Sequence, residues 1–313
     1  MSRPQRVRVY APGSIGNVGP GLDVLGLAVA GAGDTLIAER TDEGRIVVDD
    51  AGHPDLPTDP GRHTSALAAA AVLRLAGARG VGLRLRLTKG LPLSGGQGGS
   101  ATSAVVGAVA ANALLGAPLD TRALITACLE AEAIVAGRHA DNIAPSLVGG
   151  MVLIRTLDPA PEIVQLPLPD GLTVVLAHPA MRLSTKEARR VLPTSLPLGL
   201  ALTQAGSIAA MVAACYTGDL ALLGRALEDR IAEPARAPLL PGFLDAKHAA
   251  LAAGAVGGSI SGAGPTSFAL CADAVIGARV AEAMRLAYEH AGLAASVRVA
   301  TPDRTGAVTE ILA

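Results

Sequence analysis

The chain is poor in aromatic residues, cysteine and lysine. The first two shortages exclude particular kinds of core and site. Aromatic residues make up 2% of the 313 residues and tryptophan is absent, so the core must be built from Ala, Val, Leu and Ile. Cys128, Cys215 and Cys271 lie far apart without C-x-x-C spacing, which indicates neither a disulfide framework nor a zinc site. We expect all three to be small buried residues.

Further absences concern partners and location. The formal net charge is −1, and no basic segment interleaved with aromatic residues indicates a nucleic-acid surface. The N-terminus has no apolar run of signal-peptide length, and no stretch reaches the ~18 apolar residues typical of a membrane span. These patterns predict a cytoplasmic protein with no nucleic-acid or membrane partner. The length and the 50% hydrophobic content favour about two domains.

The most informative segment is the glycine-rich stretch KGLPLSGGQGGSATSAVVGA, residues 89–108. Four glycines fall within five positions, and a run of small and apolar residues that predicts a helix follows at once. Glycine allows positive φ and close approach of a ligand, while a helix start offers free N–H groups and the positive end of the helix dipole. The segment therefore suits phosphate, with a flexible linker as the alternative.

Two common phosphate-loop patterns do not fit this segment. The pattern G-x-x-x-x-G-K-[ST] needs a lysine after the last glycine, where Ser100 stands. The pattern G-x-G-x-x-G does not follow the first strand, as a dinucleotide-binding fold requires. The segment is therefore a different kind of phosphate loop, with the form P-x-x-x-G-x-G-[GS]-S-A.

Hydrophobic periodicity along the rest of the chain predicts mixed α and β structure. We expect strands at 6–10, 24–30, 35–39, 80–87, 151–155, 173–178, 268–271 and 296–300, and helices at 64–78, 100–115, after Asp120, at 204–216, 220–229 and 275–291. Residues 49–63 predict a surface loop that suits a lid. Acidic and proline-rich turns between residues 158 and 170 are the best candidate domain boundary.

Glu132 is a candidate metal ligand because of its position on the helix after Asp120. At ~100° per residue, Glu132 shares a side with Cys128 and Val135, whereas Glu130 is turned ~200° from it. An acid near a buried face is costly unless it is paired or bound to a cation. The alternative is a solvated acid at the margin of the apolar stripe.

Polar residues also gather at three turns. The segment GRHADNIAP brings together His139, Asp141 and Asn142 between a helix and a glycine pair, which favours a functional site. Asn17 and Asp23 occupy a turn-rich segment and either enter a pocket or bond locally within the turn. Arg236 lies in a proline-bounded turn and is either an anion clamp or a surface arginine.

Three motifs occur in a fixed order: the segment from Ala11 to Asp23, the glycine segment from Pro92 to Thr102, and SGAGPT at 261–266. Together they resemble the GHMP kinase superfamily over essentially the whole chain. Within it, NVGPGLDVLG, GRHADNIAP and EPARAPLLPGF resemble the homoserine kinase branch. The resemblance implies an α+β, two-domain fold. An N-terminal nucleotide-binding domain (1–165) would have a left-handed βαβ crossover, and a C-terminal domain (166–313) would be ferredoxin-like, with the substrate between them.

The resemblance also implies a reaction: ATP-dependent phosphorylation of the side-chain hydroxyl of L-homoserine to O-phospho-L-homoserine, a step towards threonine. It further implies Mg²⁺ as cofactor and a homodimer. An acid suits the ammonium of such a substrate and arginines suit its carboxylate. Phosphoryl transfer passes through a loose transition state, so positioning supplies most of the rate and a general base contributes little.

Carried over residue by residue, the resemblance implies three sets of site residues. The ATP phosphates would bind Pro92, Leu93, Ser94, Gly95, Gly96, Gln97, Gly98, Gly99, Ser100, Ala101 and Thr102, and Ser100 with Glu132 would hold Mg²⁺. The substrate would bind Asn17, Asp23, His139, Thr185, Arg189 and Arg236. The catalytic residues would be Asn142, which positions the hydroxyl, and Asp141, the candidate general base.

The chain departs from the family pattern at three positions. Gly99 stands where a serine is usual, Gln97 where leucine is common, and His63 where an asparagine usually contacts adenine. Two alternatives therefore stay open: a GHMP kinase for another small hydroxylated metabolite, and a non-catalytic nucleotide-binding relative. Arg189 and Arg236 discriminate between substrates, because an amino-acid carboxylate needs them and a sugar or isoprenoid alcohol does not.

Overall fold

Two β-sheets with helices packed on them form the computed structural model, which describes residues 4 to 312. The first sheet contains β1 (Arg6–Gly16), β2 (Leu25–Thr41), β3 (Ile46–Asp50), β4 (Gly82–Thr88), β5 (Met151–Thr156), β6 (Glu162–Leu166) and the last strand, β11 (Val308–Leu312). Its order is β11-β1-β2-β4-β3, and β5 and β6 extend from one end of β2. Only β3 and β4 pair in parallel among these described strands.

Four helices accompany the first sheet: α1 (Thr64–Leu75), α2 (Gly99–Leu114), α3 (Thr121–Val135) and α4 (Ile143–Val148). The side chains buried between them and the sheet are Ala, Val, Leu and Ile with Cys128, as the shortage of aromatic residues predicts. Small residues let the helices approach closely. A Cβ on Gly107 of α2 would lie 2.1 Å from the Ser65 carbonyl oxygen of α1. Close contact of α1 and α2 fixes the position of the α2 N-terminus.

The second sheet is antiparallel and contains β7 (Thr173–Pro179), β8 (Gly257–Ile260), β9 (Ser267–Cys271) and β10 (Ala295–Ala300) in the order β10-β7-β9-β8. Between β7 and β8 the chain forms α5 (Thr185–Arg190), α6 (Leu198–Thr217), α7 (Leu220–Ala226), α8 (Ala232–Arg236), a 3-10 turn (Ala237–Leu239) and α9 (Phe243–Ala252). Helix α10 (Ala274–His290) connects β9 to β10. This strand–helix–strand–strand–helix–strand order is ferredoxin-like, so the predicted α+β fold is confirmed.

Several elements differ from the predictions. One continuous strand, β2, replaces the two expected at 24–30 and 35–39. Its pairing register with β1 shifts between Pro12 and Gly13, and residues 30–32 of β2 have no partner in β1. Strand β6 lies inside the proline-rich stretch 158–170. Strand β11 returns to pair with β1, so residues 308–312 belong to the first sheet. The domain boundary at 165/166 stays a prediction.

Helix α6 is the one described helix long and apolar enough to cross a membrane, by length and composition only. We expected no such stretch. The residues of α6 that face the rest of the protein and are buried are Gln204, Met211, Ala214 and Cys215. In the most apolar 18-residue segment of this helix, 22% is buried. The other face of α6 is exposed and carries no charge. The three cysteines are free and buried, as predicted.

Candidate active site

A cavity of about 930 Å³ lies where loops of the two sheets meet. Its wall includes the glycine loop with the start of α2, the residues around the start of α5, the end of α8 at Arg236, and the turn 262–264. The predicted site residues Asn17, Asp23, Glu132, His139, Asp141, Asn142, Thr185, Arg189 and Arg236 all line it. Residues separated by more than 200 positions in the sequence therefore share one cavity.

The glycine loop ends in a left-handed residue that turns the chain into α2. Gly98 is the N-cap, with φ +71°, and a Cβ there would lie 2.3 Å from the Ser14 hydroxyl oxygen. Thr102 is the first residue of this turn whose backbone N–H bonds to the helix, at 2.8 Å from the Gly98 carbonyl. Within residues 4–312 no side chain caps this N-terminus. The preceding N–H groups are free to bind an anion.

Nine of the eleven predicted phosphate-loop residues line the cavity, and Gln97 and Thr102 do not. The Thr102 hydroxyl donates back to the Gly98 carbonyl at 2.9 Å, because its side chain lies on the inner side of α2. The Gln97 amide nitrogen donates to the Thr266 hydroxyl at 3.3 Å, so its side chain points away from the cavity. Contact of these two side chains with ATP stays a prediction.

The third motif holds the glycine loop from the side of the second sheet. The Ser261 hydroxyl donates to the Gly96 carbonyl at 2.7 Å, and the Thr266 hydroxyl donates to the Gly95 carbonyl at 2.5 Å. Gly96 has φ +74°, and a Cβ there would lie 2.5 Å from the Ser261 carbonyl oxygen. The loop is thereby fixed by contacts from both sheets.

Lys89 is a cavity residue that sequence reasoning missed. Its ammonium lies 2.5 Å from the Asp34 carboxylate, 2.8 Å from the Gly99 carbonyl and 3.1 Å from the Ser103 hydroxyl. The Asp34 side chain is fully buried. This ion pair places a cation beside the first turn of α2. The signal in the sequence was the rarity of lysine and its position directly before the glycine loop.

Glu132 faces the cavity and Glu130 faces outward, as the helical phase predicts. The Ser100 hydroxyl donates to Glu132 Oε2 at 3.0 Å, whereas the buried Oε1 has no partner among the described residues. Burial raises the pKa of Glu132 to about 7, partly offset by the Ser100 hydrogen bond. An unpartnered acid oxygen beside a hydroxyl fits a small divalent cation.

No cluster of three or more His, Cys, Asp or Glu residues suitable for a metal occurs in the described part of the chain. A cation at this position would therefore be held by Ser100, Glu132 and oxygen atoms of a bound ligand. This arrangement is typical of Mg²⁺, which binds through one or two carboxylates together with phosphate oxygens.

Asp23 and Arg189 form a two-pronged ion pair across the cavity. Arg189 Nη2 donates to Asp23 Oδ1 at 2.7 Å and Nη1 donates to Oδ2 at 3.0 Å. His139 Nδ1 lies 3.4 Å from Asp23 Oδ1. Burial alone would raise the pKa of Asp23, but the Arg189 hydrogen bonds and the neighbouring positive charges lower it. Asp23 is therefore an anion near neutral pH.

Arg236 is buried, with 2% of its surface exposed, which rules out a surface arginine. We had expected Arg236 in a turn, but it is the last residue of helix α8. Its Nε donates to the Ala188 carbonyl at 3.1 Å and its Nη1 to the Gly262 carbonyl at 2.9 Å. Burial lowers its pKa, and the nearby Arg189 charge adds to this effect. A buried cation whose hydrogen-bond partners among residues 4–312 are carbonyl groups is suited to bind an anion.

Asp141, Asn142 and Asn17 lie between the first motif and the start of α4. Asp141 Oδ2 accepts a bond from the Asn17 backbone N–H at 3.1 Å, and burial, aided by the Asp23 charge, raises the pKa of Asp141 to about 7. Asn142 accepts a bond from the Ser14 hydroxyl at 2.9 Å. Both ends of the Asn17 side chain bond to backbone, at Gly262 and Asp23, so Asn17 organises its loop.

Two remaining candidates occupy helix starts. Thr185 is the first residue of α5, whose N-cap Ser184 forms a capping box with Glu187. This cap fixes the helix that carries Arg189. His63 precedes α1, is buried, and bonds through Nδ1 to the Ser65 hydroxyl at 2.8 Å. His63 lines the cavity near Leu56 and Pro57.

Two family models match the chain. The model described as GHMP kinases N terminal domain matches residues 64–150, and the model described as GHMP kinases C terminal matches residues 211–290. The first match covers the glycine loop, α2 and Glu132. The second covers strands β8 and β9 of the second sheet and helix α10. The two matches together span more than half of the chain.

Curated relatives and a solved structure are similar over nearly the full length. A homoserine kinase of Chlorobium phaeobacteroides is 42% identical over 296 residues, covering 90% of this chain and 92% of that protein. A homoserine kinase of Arabidopsis thaliana is 43% identical over 96% of this chain and 84% of that protein. The crystal structure of a homoserine kinase from Cytophaga hutchinsonii superposes with a TM-score of 0.94 at 37% identity, covering 99% of both chains.

Proposed function

The chain belongs to the GHMP kinases and, within them, to the homoserine kinases, and from this premise we propose how its residues phosphorylate L-homoserine with ATP. The product is O-phospho-L-homoserine, a step towards threonine. One observation carries the proposal: Asp23, Arg189 and Arg236 line the same cavity as the uncapped N-terminus of α2. A site for a zwitterion thus adjoins a site for a polyphosphate.

The amino-acid end of homoserine binds at the Asp23–Arg189 pair. Homoserine carries an ammonium and a carboxylate, the same two charges that Asp23 and Arg189 neutralise in each other. The ammonium binds Asp23 and the carboxylate binds Arg189 and Arg236. Because each buried charge keeps an opposite partner, binding does not leave an isolated charge in the cavity.

The phosphates of ATP bind the free N–H groups at the start of α2, where the helix dipole favours negative charge. We propose that Ser100 and Glu132 hold Mg²⁺, because Glu132 Oε1 is buried without a partner in the described residues. When bound, the ion neutralises phosphate charge that develops during transfer.

Asn142 and Asp141 act on the hydroxyl of the substrate. Asn142 orients it, and Asp141 accepts its proton as transfer proceeds. A carboxyl group with a pKa of about 7 is ionised in about half of the molecules at neutral pH, which suits a general base. The loose transition state makes this contribution smaller than that of positioning and charge neutralisation.

The proposal is tested by measuring ADP release with ATP and a panel of alcohols, with and without Mg²⁺. The panel contains L-homoserine, L-serine, mevalonate and galactose. We expect strong Mg²⁺-dependent turnover with homoserine only. Turnover with mevalonate or galactose would instead identify a kinase for another metabolite, and nucleotide binding without any turnover would identify a non-catalytic relative.

We also propose that the protein works in the cytoplasm as a homodimer, without a nucleic-acid or membrane partner. The exposed face of α6 includes Leu198, Leu202 and Tyr216 and has no charge. A two-fold axis brings identical surfaces together, so an uncharged apolar face suits a second copy. Sedimentation should give a dimer for the wild type and a monomer for Leu202→Glu. A wild-type monomer would contradict the proposal.

A further inference from the structure

Gln204 is the one buried polar residue of α6, a helix of 20 residues without a charge. A buried amide is costly unless its groups are hydrogen-bonded, and each end of Gln204 has partners. Its Nε2 donates to the Pro20 carbonyl at 2.9 Å and to Asp229 Oδ1 at 2.9 Å. Its Oε1 accepts a bond from the Arg230 backbone N–H at 3.1 Å.

The first partner of Gln204 belongs to the loop that carries Asp23. Pro20 lies between Asn17 and Asp23, and the Asn17 side-chain oxygen accepts a bond from the Asp23 backbone N–H at 3.2 Å. The loop contains residues with positive φ at Asn17, Val18 and Gly19, so its conformation depends on outside contacts. Gln204 supplies a side-chain contact at its centre.

The second partner fixes the helix that carries Arg236. Asp229 accepts bonds from the backbone N–H groups of Ile231 at 2.8 Å, Ala232 at 3.0 Å and Glu233 at 2.9 Å. These are the groups at the start of α8 that have no partner within a helix. Helix α8 has five residues and ends at Arg236. The position of Asp229 therefore sets the position of Arg236.

We propose that Gln204 is a positioning residue that sets the distance between Asp23 and Arg236. The inference rests on the proposed function, in which these residues bind the ammonium and the carboxylate of one substrate. The loop that carries Asp23 and the helix that carries Arg236 form the two walls of the substrate site. Both walls also contact the Gly262 carbonyl, which accepts bonds from Asn17 Nδ2 and Arg236 Nη1. Gln204 is the side-chain connection between the walls, on the side away from the glycine loop.

The replacement Gln204→Leu removes all three hydrogen bonds with a side chain of similar size. We expect the KM for homoserine to rise about tenfold, as loss of hydrogen bonds to a charged group implies. The KM for ATP should stay within about twofold, because none of the partners of Gln204 belongs to the glycine loop. A merely structural role would change both constants together.

A second measurement separates positioning from a general loss of fold. The competitor 3-aminopropan-1-ol has the ammonium and hydroxyl of homoserine but no carboxylate, so it does not depend on the distance between the two walls. Its inhibition constant should not change in Gln204→Leu. The control Thr203→Ala removes an exposed hydroxyl that bonds within α6 at 3.0 Å and should match the wild type in every constant.

Asp229→Asn provides a second variant if Gln204→Leu does not fold. It keeps the size of the side chain, but an amide nitrogen replaces one carboxylate oxygen and cannot accept a backbone N–H bond, so the cap of α8 is weakened and the same pattern should appear. The role of Gln204 would be refuted, with the proposed function intact, by an unchanged KM for homoserine in both variants. Equally weakened binding of homoserine, ATP and 3-aminopropan-1-ol would refute it as well. A wild type inactive on homoserine would refute the proposed function and this inference with it.

Discussion

Replacing Glu132 with glutamine should affect stability and activity in opposite directions. Glu132 is buried, and one of its carboxylate oxygens has no partner among the described residues. In the free protein its negative charge is therefore destabilising. In the working enzyme the same charge holds Mg²⁺. The Glu132→Gln variant keeps the shape and the Ser100 contact but cannot be ionised.

The size of the effect follows from the pKa of Glu132, which burial raises from 4.5 to about 7. Below pH 4.5 the group is protonated in both the folded and the unfolded state. Between these two values the unfolded chain loses the proton that the folded chain keeps, so the free energy of unfolding falls as pH rises. At 1.36 kcal/mol per pKa unit, the loss reaches about 3 kcal/mol above pH 7.

The assay is urea unfolding of both proteins from about pH 5 to about pH 8, without Mg²⁺ or nucleotide. Relative to the wild type, Glu132→Gln should gain about 2.5 kcal/mol across this range, because part of the wild-type loss has already occurred at about pH 5. Any constant cost of the buried amide cancels in this comparison. Asp141 is present in both proteins, and its charge contributes to the raised pKa of Glu132 that the comparison measures. Glu130→Gln, on the outer face of α3, is the matched control and should show no such trend.

Two results would refute this reasoning. A stability difference that does not change with pH would mean that Glu132 carries no buried charge. Full Mg²⁺-dependent turnover in Glu132→Gln would mean that another residue holds the ion.

Three further replacements have defined outcomes. Gly98→Ala should weaken ATP binding by more than about tenfold, because φ is +71° and the added Cβ would meet Ser14. The control Gly206→Ala has open space around the added Cβ and should bind ATP normally. At saturating Mg²⁺, which keeps Glu132 ionised, wild-type kcat should rise with pH through about 7 and then level off as Asp141 becomes ionised; Asp141→Asn should remove this rise, and an unchanged profile and kcat would exclude Asp141 as the base. Lys89→Met should cost about 3–5 kcal/mol in urea unfolding, because it leaves the charge of Asp34 buried and unpaired; a loss below about 1 kcal/mol would contradict the buried ion pair.

Local patterns predicted the helices around the site closely. The helix expected at 100–115 is Gly99–Leu114, and the helix expected at 275–291 is Ala274–His290. The helical phase of α3 also identified Glu132 as the acid that faces inward. These predictions succeeded because caps, glycines and apolar spacing act over a few residues.

Long-range pairing could not be predicted from the same patterns. Strand β11 is mostly exposed and is held by β1, about 300 residues away in the sequence. Lys89 was missed because Asp34, its partner, lies on a different strand. Arg236 was expected in a turn because Pro234 and Pro238 flank it, yet Asp229 caps a short helix there. For β11 and Lys89 the determining contact comes from residues that no local window includes. Asp229 lies close to α8 in the sequence, but the proline signal outweighed its capping signal.

The central claim is that Arg236 binds the substrate carboxylate in the cavity where α2 binds phosphate. The most direct test compares homoserine with 3-aminopropan-1-ol as competing ligands, in the wild type and in Arg236→Ala, so that any misfolded fraction affects both equally. We predict that the variant loses more than about 30-fold in apparent affinity for homoserine and has unchanged affinity for 3-aminopropan-1-ol. Equal losses for both ligands, or no loss for homoserine, would contradict the account.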